Sequence, residues 1–229
     1  QVLSSAASDV YKRQSTSIAV DADDHIHIAY YDANNKDMYH LTNTSGSWAR
    51  TFLEDIGTNT GGTALDIAID PTTDEPGISY FDMDATSLKY TYYTGSAWSA
   101  TTVENSADYG RFNSLIYDSV GNVHISHERN SADDLYYTSD KTGSWVSTPV
   151  DTTNSVGTYT SIAVDSNDDL HIAYRHNSFS RTMHATVQGY KISSDARTDV
   201  SGATCSISPS IPFGLALNQG TVSYTHLTL

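Results

Sequence analysis

The sequence predicts an all-β chain built from four copies of one four-stranded antiparallel unit. Three observations carry that expectation. The first is a repeated hairpin: residues 161–174 read SIAVDSNDDLHIAY, 17–30 SIAVDADDHIHIAY, 114–127 SLIYDSVGNVHISH, and 66–80 DIAIDPTTDEPGISY with one residue inserted. Each alternates apolar and other residues on both sides of a polar turn, the period-2 pattern of paired strands. The second is spacing. Asp21, Asp70, Asp118 and Asp165 lie 49, 48 and 47 residues apart, and Trp48, Trp98 and Trp145 follow the first three by 27, 28 and 27. The third is that no segment carries a 3.6-residue apolar period, which a helical solenoid of this repeat length would need. Four antiparallel strands per unit match the blade of a β-propeller.

Within each unit the first two strands form the hairpin. A Tyr-rich third strand follows, at residues 38–42, 88–93, 135–138 and 183–187. A glycine turn comes next (Gly46, Gly95, Gly143, Gly189), and the fourth strand opens on Trp48, Trp98, Trp145 or, less regularly, Tyr190. The blades fall at about residues 15–62, 63–110, 111–157 and 158–192. Residues 193–221 read as an irregular stretch in which GLALN, 214–218, resembles the start of a fifth blade. Residues 1–14 and 222–229 break the pattern and resemble translated sequencing-adapter read-through. Gly62, Gly110 and Gly157 each precede a repeat aspartate by eight residues, but the matching place before Asp21 is Arg13. Both ends are expected to lie outside the native fold, and the rest of a longer parent of six to eight blades is the expected partner.

Composition narrows the function classes. Lys+Arg total 12 against 27 Asp+Glu, a net charge of −15 that repels phosphate backbones and speaks against nucleic acid. Cys205 is alone, so the chain holds no internal disulfide and no thiolate metal cluster. No apolar run approaches the roughly 18 residues of a membrane span, so no membrane insertion is expected. The acidic, solvated surface suits a secreted or cell-surface protein.

Residues 138–145, TSDKTGSW, resemble the Asp-box turn (S-x-D-x-G-x-x-W) between the third and fourth strands of sialidase-like propellers, and TSGSW and TGSAW at 44–48 and 94–98 are degenerate versions without its Asp. The resemblance covers about residues 15–192. It implies a propeller, and for catalytic members a triad of arginines, a Tyr nucleophile paired with a Glu, and an Asp acid/base. The arginine motif F-R-I-P is absent, so the expectation is a non-catalytic propeller that binds glycan or protein ligands. A fragment of a glycosidase or polysaccharide lyase, or a purely structural interaction module, are the alternatives.

Each recurring residue has a structural reading. The Trp is expected to lie across its own blade and bury a large apolar area. The repeat Asp suits an Asx-type turn. Asp21, Asp23 and Asp24, or Asp165, Asp168 and Asp169, also suggest calcium as the weaker reading, so no cofactor is expected. His27, His124 and His171 share one place, taken by Gly77 in the second unit, and read as repeated hydrogen-bonding groups before they read as zinc ligands, so no metal is expected. Most of the 16 tyrosines read as core.

Strand parity then places a site. In an up-down blade the two faithful turns share one face, and the variable connections share the other, where loops carry function on a rigid frame. The candidates there are Tyr31, Asp32, Asp82, Glu128, Arg129, Arg175 and His176, beside Phe81, after the second strands. Before the first strands they include Tyr109, Arg111, Tyr159 and Asn59.

Overall fold

The computed structural model describes residues 15–57, 64–105, 108–131 and 133–187, and the backbone of three strands within 197–227. Blade 1 is β1 (Thr16–Val20), β2 (Ile26–Asp32), β3 (Asp37–Thr42) and β4 (Ala49–Asp55). Blade 2 is β5 (Leu65–Ile69), β6 (Pro76–Asp82), β7 (Ser87–Tyr93) and β8 (Trp98–Glu104). Blade 3 is β9 (Tyr109–Tyr117), β10 (Val123–Arg129), β11 (Asp134–Ser139) and β12 (Val146–Asp151). Blade 4 begins with β13 (Val156–Val164), β14 (Leu170–His176) and β15 (Arg181–Val187). Strands pair antiparallel in chain order within each blade. The first strands β1, β5, β9 and β13 contact one another in series, as the inner strands of a β-propeller do.

The fourth place of the last blade differs from expectation. Tyr190 lies outside the described residues, as do residues 1–14 and Asn59. The place is taken by β18 (Val222–Leu227), antiparallel to β15, with β16 (Arg197–Asp199) and β17 (Thr204–Cys205) beyond it. β15 would otherwise present an open edge, which pairs readily with an extended segment. No helix of the described residues is long and apolar enough to cross a membrane.

The core consists of three layers between blades. Ala29, Tyr31 and Met38 of blade 1 pack with Leu65, Ile67, Ile78 and Tyr80 of blade 2. Leu88 and Tyr90 pack with Leu115, Tyr117 and Ile125 between blades 2 and 3. Leu135 and Val150 pack with Ile162, Ile172 and Tyr174 between blades 3 and 4. Each blade thus has a forward face toward the next blade and a backward face toward the one before.

This layering corrects the reading of the tryptophans. They pack against the preceding blade as well: Trp98 meets His40 of blade 1 edge-on at 4.9 Å beside Tyr93 of its own blade at 5.7 Å, and Trp145 meets Tyr90 of blade 2 at 5.5 Å. Among the described residues no blade precedes Trp48, which is 54% exposed.

The inner strands β9 and β13 run nine residues each, longer than the hairpin pattern predicts. Each is extended through a β-bulge that the sequence reading missed. Gly110 (φ +108°) and Gly157 (φ +90°) open these extensions. A Cβ there would lie 2.8 Å from Leu88 and 2.9 Å from the Asp134 carbonyl, so close backbone approach requires glycine at both places.

Candidate functional site

The faithful turns are scaffold. The Asp21 carboxylate accepts the amides of Asp23 and His25 at 3.0 and 2.7 Å, and Asp165 accepts those of Asn167 and Asp169 at 2.8 and 3.0 Å. Asp70 and Asp118 close the same Asx-type turn. The second-strand histidines then link strand to turn inside their own blades. His27 Nε2 lies 3.2 Å from Asp21, and its Nδ1 lies 3.1 Å from His40 Nε2. His124 Nε2 lies 3.3 Å from Asp118, and its Nδ1 lies 2.6 Å from the Tyr137 hydroxyl. His171 pairs with His184 at 3.1 Å. Burial raises carboxyl pKa values, yet the bonds from His27 and His25 hold Asp21 at about 2, and those from Asn122 and His124 hold Asp118 at about 2.

On the opposite face the structure sorts the predicted residues. All seven after the second strands belong to the last two positions of those strands rather than to loops. Tyr31, Asp82, Tyr109, Glu128 and His176 are buried, and this removes them from direct display. Tyr31 donates its hydroxyl to the Gly57 carbonyl at 2.8 Å. Asp82 accepts the amides of Asp84 and Ala85 and pairs with Lys89 at 2.7 Å. Asp32 is half-buried and closes its own turn by accepting the Asn34 amide. Arg111 pairs with Asp108 at 3.2 Å and lies over Phe81. Arg129 lies 5.0 Å over the Tyr109 ring. Glu128 pairs in register with Arg111, and burial pushes its carboxyl up to about 7, reinforced by Asp133.

Arg175 is the exception. It is exposed and lines a cavity of about 320 Å³ with Tyr159, Ala173, Tyr174, Ser180, Arg181 and Thr182. Tyr159 is 66% exposed and held at φ +53°, an unusual conformation for an aromatic residue. Its ring packs on Phe112 of blade 3, 4.7 Å away, which occupies the equivalent bulge at φ +48°. Backbone strain therefore holds an aromatic side chain out at the rim of the cavity. Arg181 lies 5.8 Å over Phe179, beside His176. An aromatic face flanked by two exposed guanidinium groups suits a ligand with one apolar face and hydroxyl or carboxylate oxygens.

Solved structures share this fold. The Aleuria aurantia lectin, a six-bladed β-propeller with a described mode of fucose recognition, is 15% identical, matching 89% of this chain and 64% of its own, with a TM-score of 0.57. AofleA from Arthrobotrys oligospora is 11% identical over 77% of this chain and 54% of its own, with a TM-score of 0.57. The α-L-arabinofuranosidase Arb93A of Fusarium graminearum is 12% identical over 84% and 68%, with a TM-score of 0.53. No protein-family model matches the chain, and no curated protein matches it in sequence. The chain is a β-propeller, and it spans less than two thirds of the first two structures.

Two features escaped the sequence reading. One is an acidic residue closing the outer strand of each of the first three blades, Glu54, Glu104 and Asp151. Tyr80 of blade 2 donates to Glu54, and Tyr174 of blade 4 donates to Asp151 at 2.7 Å. Lys89 joins Glu54 at 2.5 Å. The spacing of these acids follows the blade repeat and was available as a signal. The other is the pair of bulges at Phe112 and Tyr159, 47 residues apart, each two residues after a positive-φ glycine, Gly110 or Gly157.

Proposed function

We propose that this chain is a non-catalytic glycan-binding β-propeller, exported to the cell surface or medium and working without a cofactor. The observation that carries this reading is the cavity at Tyr159, Arg175 and Arg181. A sugar ring would stack its apolar face on Tyr159 while the guanidinium groups take its hydroxyl or carboxylate oxygens. The lectin fold neighbours support the same class of ligand. The Asp-box likeness of residues 138–145 supports a place near the sialidase-like propellers. Of the residues the sequence places on this face, Arg175 and Tyr159 keep a direct role in this proposal, Tyr159 at its centre.

The test is a glycan array followed by calorimetry on hits. Binding should fall at least tenfold in Tyr159→Ala and in Arg175→Ala, both exposed and thus safe for folding. Binding that survives both changes would sink the proposed site, and an array without hits would favour a protein ligand or a structural module. A glycosidase is the second reading, favoured by the fold shared with the α-L-arabinofuranosidase Arb93A, with Glu128, buried outside the cavity, as the carboxyl to test. Glycoside turnover abolished by Glu128→Gln would establish it.

A further inference from the structure

We propose that Glu128 is a positioning residue that works as a proton switch: uncharged, it holds the bulged aromatics Phe112 and Tyr159 in place, and ionised, it releases them. The inference rests on the glycan reading for its ligand but not for its geometry. Glu128 is 2% exposed, and its carboxyl makes no hydrogen bond with the described residues. The buried carboxylates Asp82, Asp118 and Asp151 each accept at least two. Its place in the strand is an apolar one, filled in blades 1 and 2 by the buried rings of Tyr31 and Phe81. A carboxyl in such a place favours its neutral form.

Three charged groups act on it. Asp133, in the turn after β10, and Asp108, just before β9, repel its charge, while Arg111 of β9 attracts it. β13 packs on the same side of β10 and adds no acid or base except Tyr159 itself. Burial, reinforced by Asp133, pushes the carboxyl up to about 7, so its charge changes near neutral pH. Once ionised, it draws on its register partner Arg111, which otherwise pairs with Asp108 at 3.2 Å and lies over the Phe81 ring.

Arg111 is joined directly to the cavity rim. The next residue is Phe112, whose ring meets Tyr159 at 4.7 Å. Asn113 fixes the far end of this bulge, donating to the Ala64 and Gly110 carbonyls at 2.8 Å each. Ser126, two residues before Glu128 on the same side of β10, donates to the Thr160 hydroxyl at 2.9 Å. Thr160 in turn donates to the Phe112 carbonyl at 2.6 Å. Phe112 and Tyr159 are held at φ +48° and +53°, so each relaxes toward an ordinary conformation once the contacts around it loosen. One proton therefore selects between two arrangements of the pair. By linkage, a ligand that needs the ordered pair takes up a proton as it binds.

The test reads the full chain with and without glycans. By carboxyl-labelled NMR, Glu128, one of only four glutamates, should titrate at about 7. The nuclear Overhauser contact between the Phe112 and Tyr159 rings should fade from about pH 6 to pH 8 with the same midpoint, and persist throughout in Glu128→Gln. A glycan array run at both pH values should show binding about tenfold weaker at the higher one, the limit for one group near 7 that must be protonated. In Glu128→Gln the change should be less than about twofold. A ring contact that ignores pH, one that fades equally in Glu128→Gln, or a Glu128 that titrates near 4.5 would overturn the proposal, whether or not any glycan binds. A contact that switches while the array stays empty would sustain the switch and sink the glycan reading. Array binding that is lost in Tyr159→Ala yet equal at both pH values would sink the switch and leave that reading standing.

Discussion

Burial around single ionisable residues sets opposing responses to pH. Burial, with His27 beside it, lowers His40 to about 4, and burial lowers His127 to about 4. A folded state that prefers the neutral ring is fully stabilised above about pH 6.5 and loses that stability as pH falls toward 4. Asp21 and Asp118, held at about 2, contribute stability that disappears as pH falls from about 4 toward 2. Glu128 acts in the other direction. Its protonated form is favoured in the fold, so a penalty grows as pH rises from the unfolded value near 4.5 through about 7. Glu128→Gln is therefore expected to stabilise the chain by roughly 2–4 kcal/mol at pH 8 and by almost nothing at pH 4.5. Urea titrations at the two pH values check this; equal effects at both would show that Glu128 is solvated. The unaltered chain should also lose melting temperature between pH 6.5 and 4, where two histidines outweigh one glutamate.

At the scale of strands and turns, the tryptophans separate what a repeat encodes from what its neighbours decide. Trp98→Ala removes an edge contact with His40 from a half-buried site and should cost about 2 kcal/mol. Trp48→Ala, at 54% exposure, should cost less than about 0.5 kcal/mol in dilute, monomeric protein. Equal losses in urea unfolding would place Trp48 in a covered environment. Gly157→Ala should cost more than about 2 kcal/mol, because the new Cβ meets backbone at 2.9 Å under a positive φ. Hairpins, third strands and glycine turns were legible in the sequence because local alternation and turn chemistry determine them. The bulges at Phe112 and Tyr159 were not, since they arise where β9 and β13 fit against their second strands, a non-local condition. The site was legible as a face but not as residues. Parity told which end of the blade varies, yet whether Tyr31 or Arg175 reaches solvent depends on whether another blade covers that position.

At the scale of the whole molecule the deciding quantity is the net charge of −15 and how salt screens it. The Debye length falls from about 30 Å at 0.01 M salt to about 8 Å at 0.15 M, so interactions between surface charges are screened while short-range packing and hydrogen bonds persist. A carboxylated glycan held by Arg175 and Arg181 should therefore bind more weakly as sodium chloride is raised over that range, because its attraction to the guanidinium groups is screened. A neutral glycan stacked on Tyr159 should be almost indifferent. Calorimetry across one salt series reads both. A carboxylated ligand that binds equally at both extremes would place its carboxylate away from the two arginines.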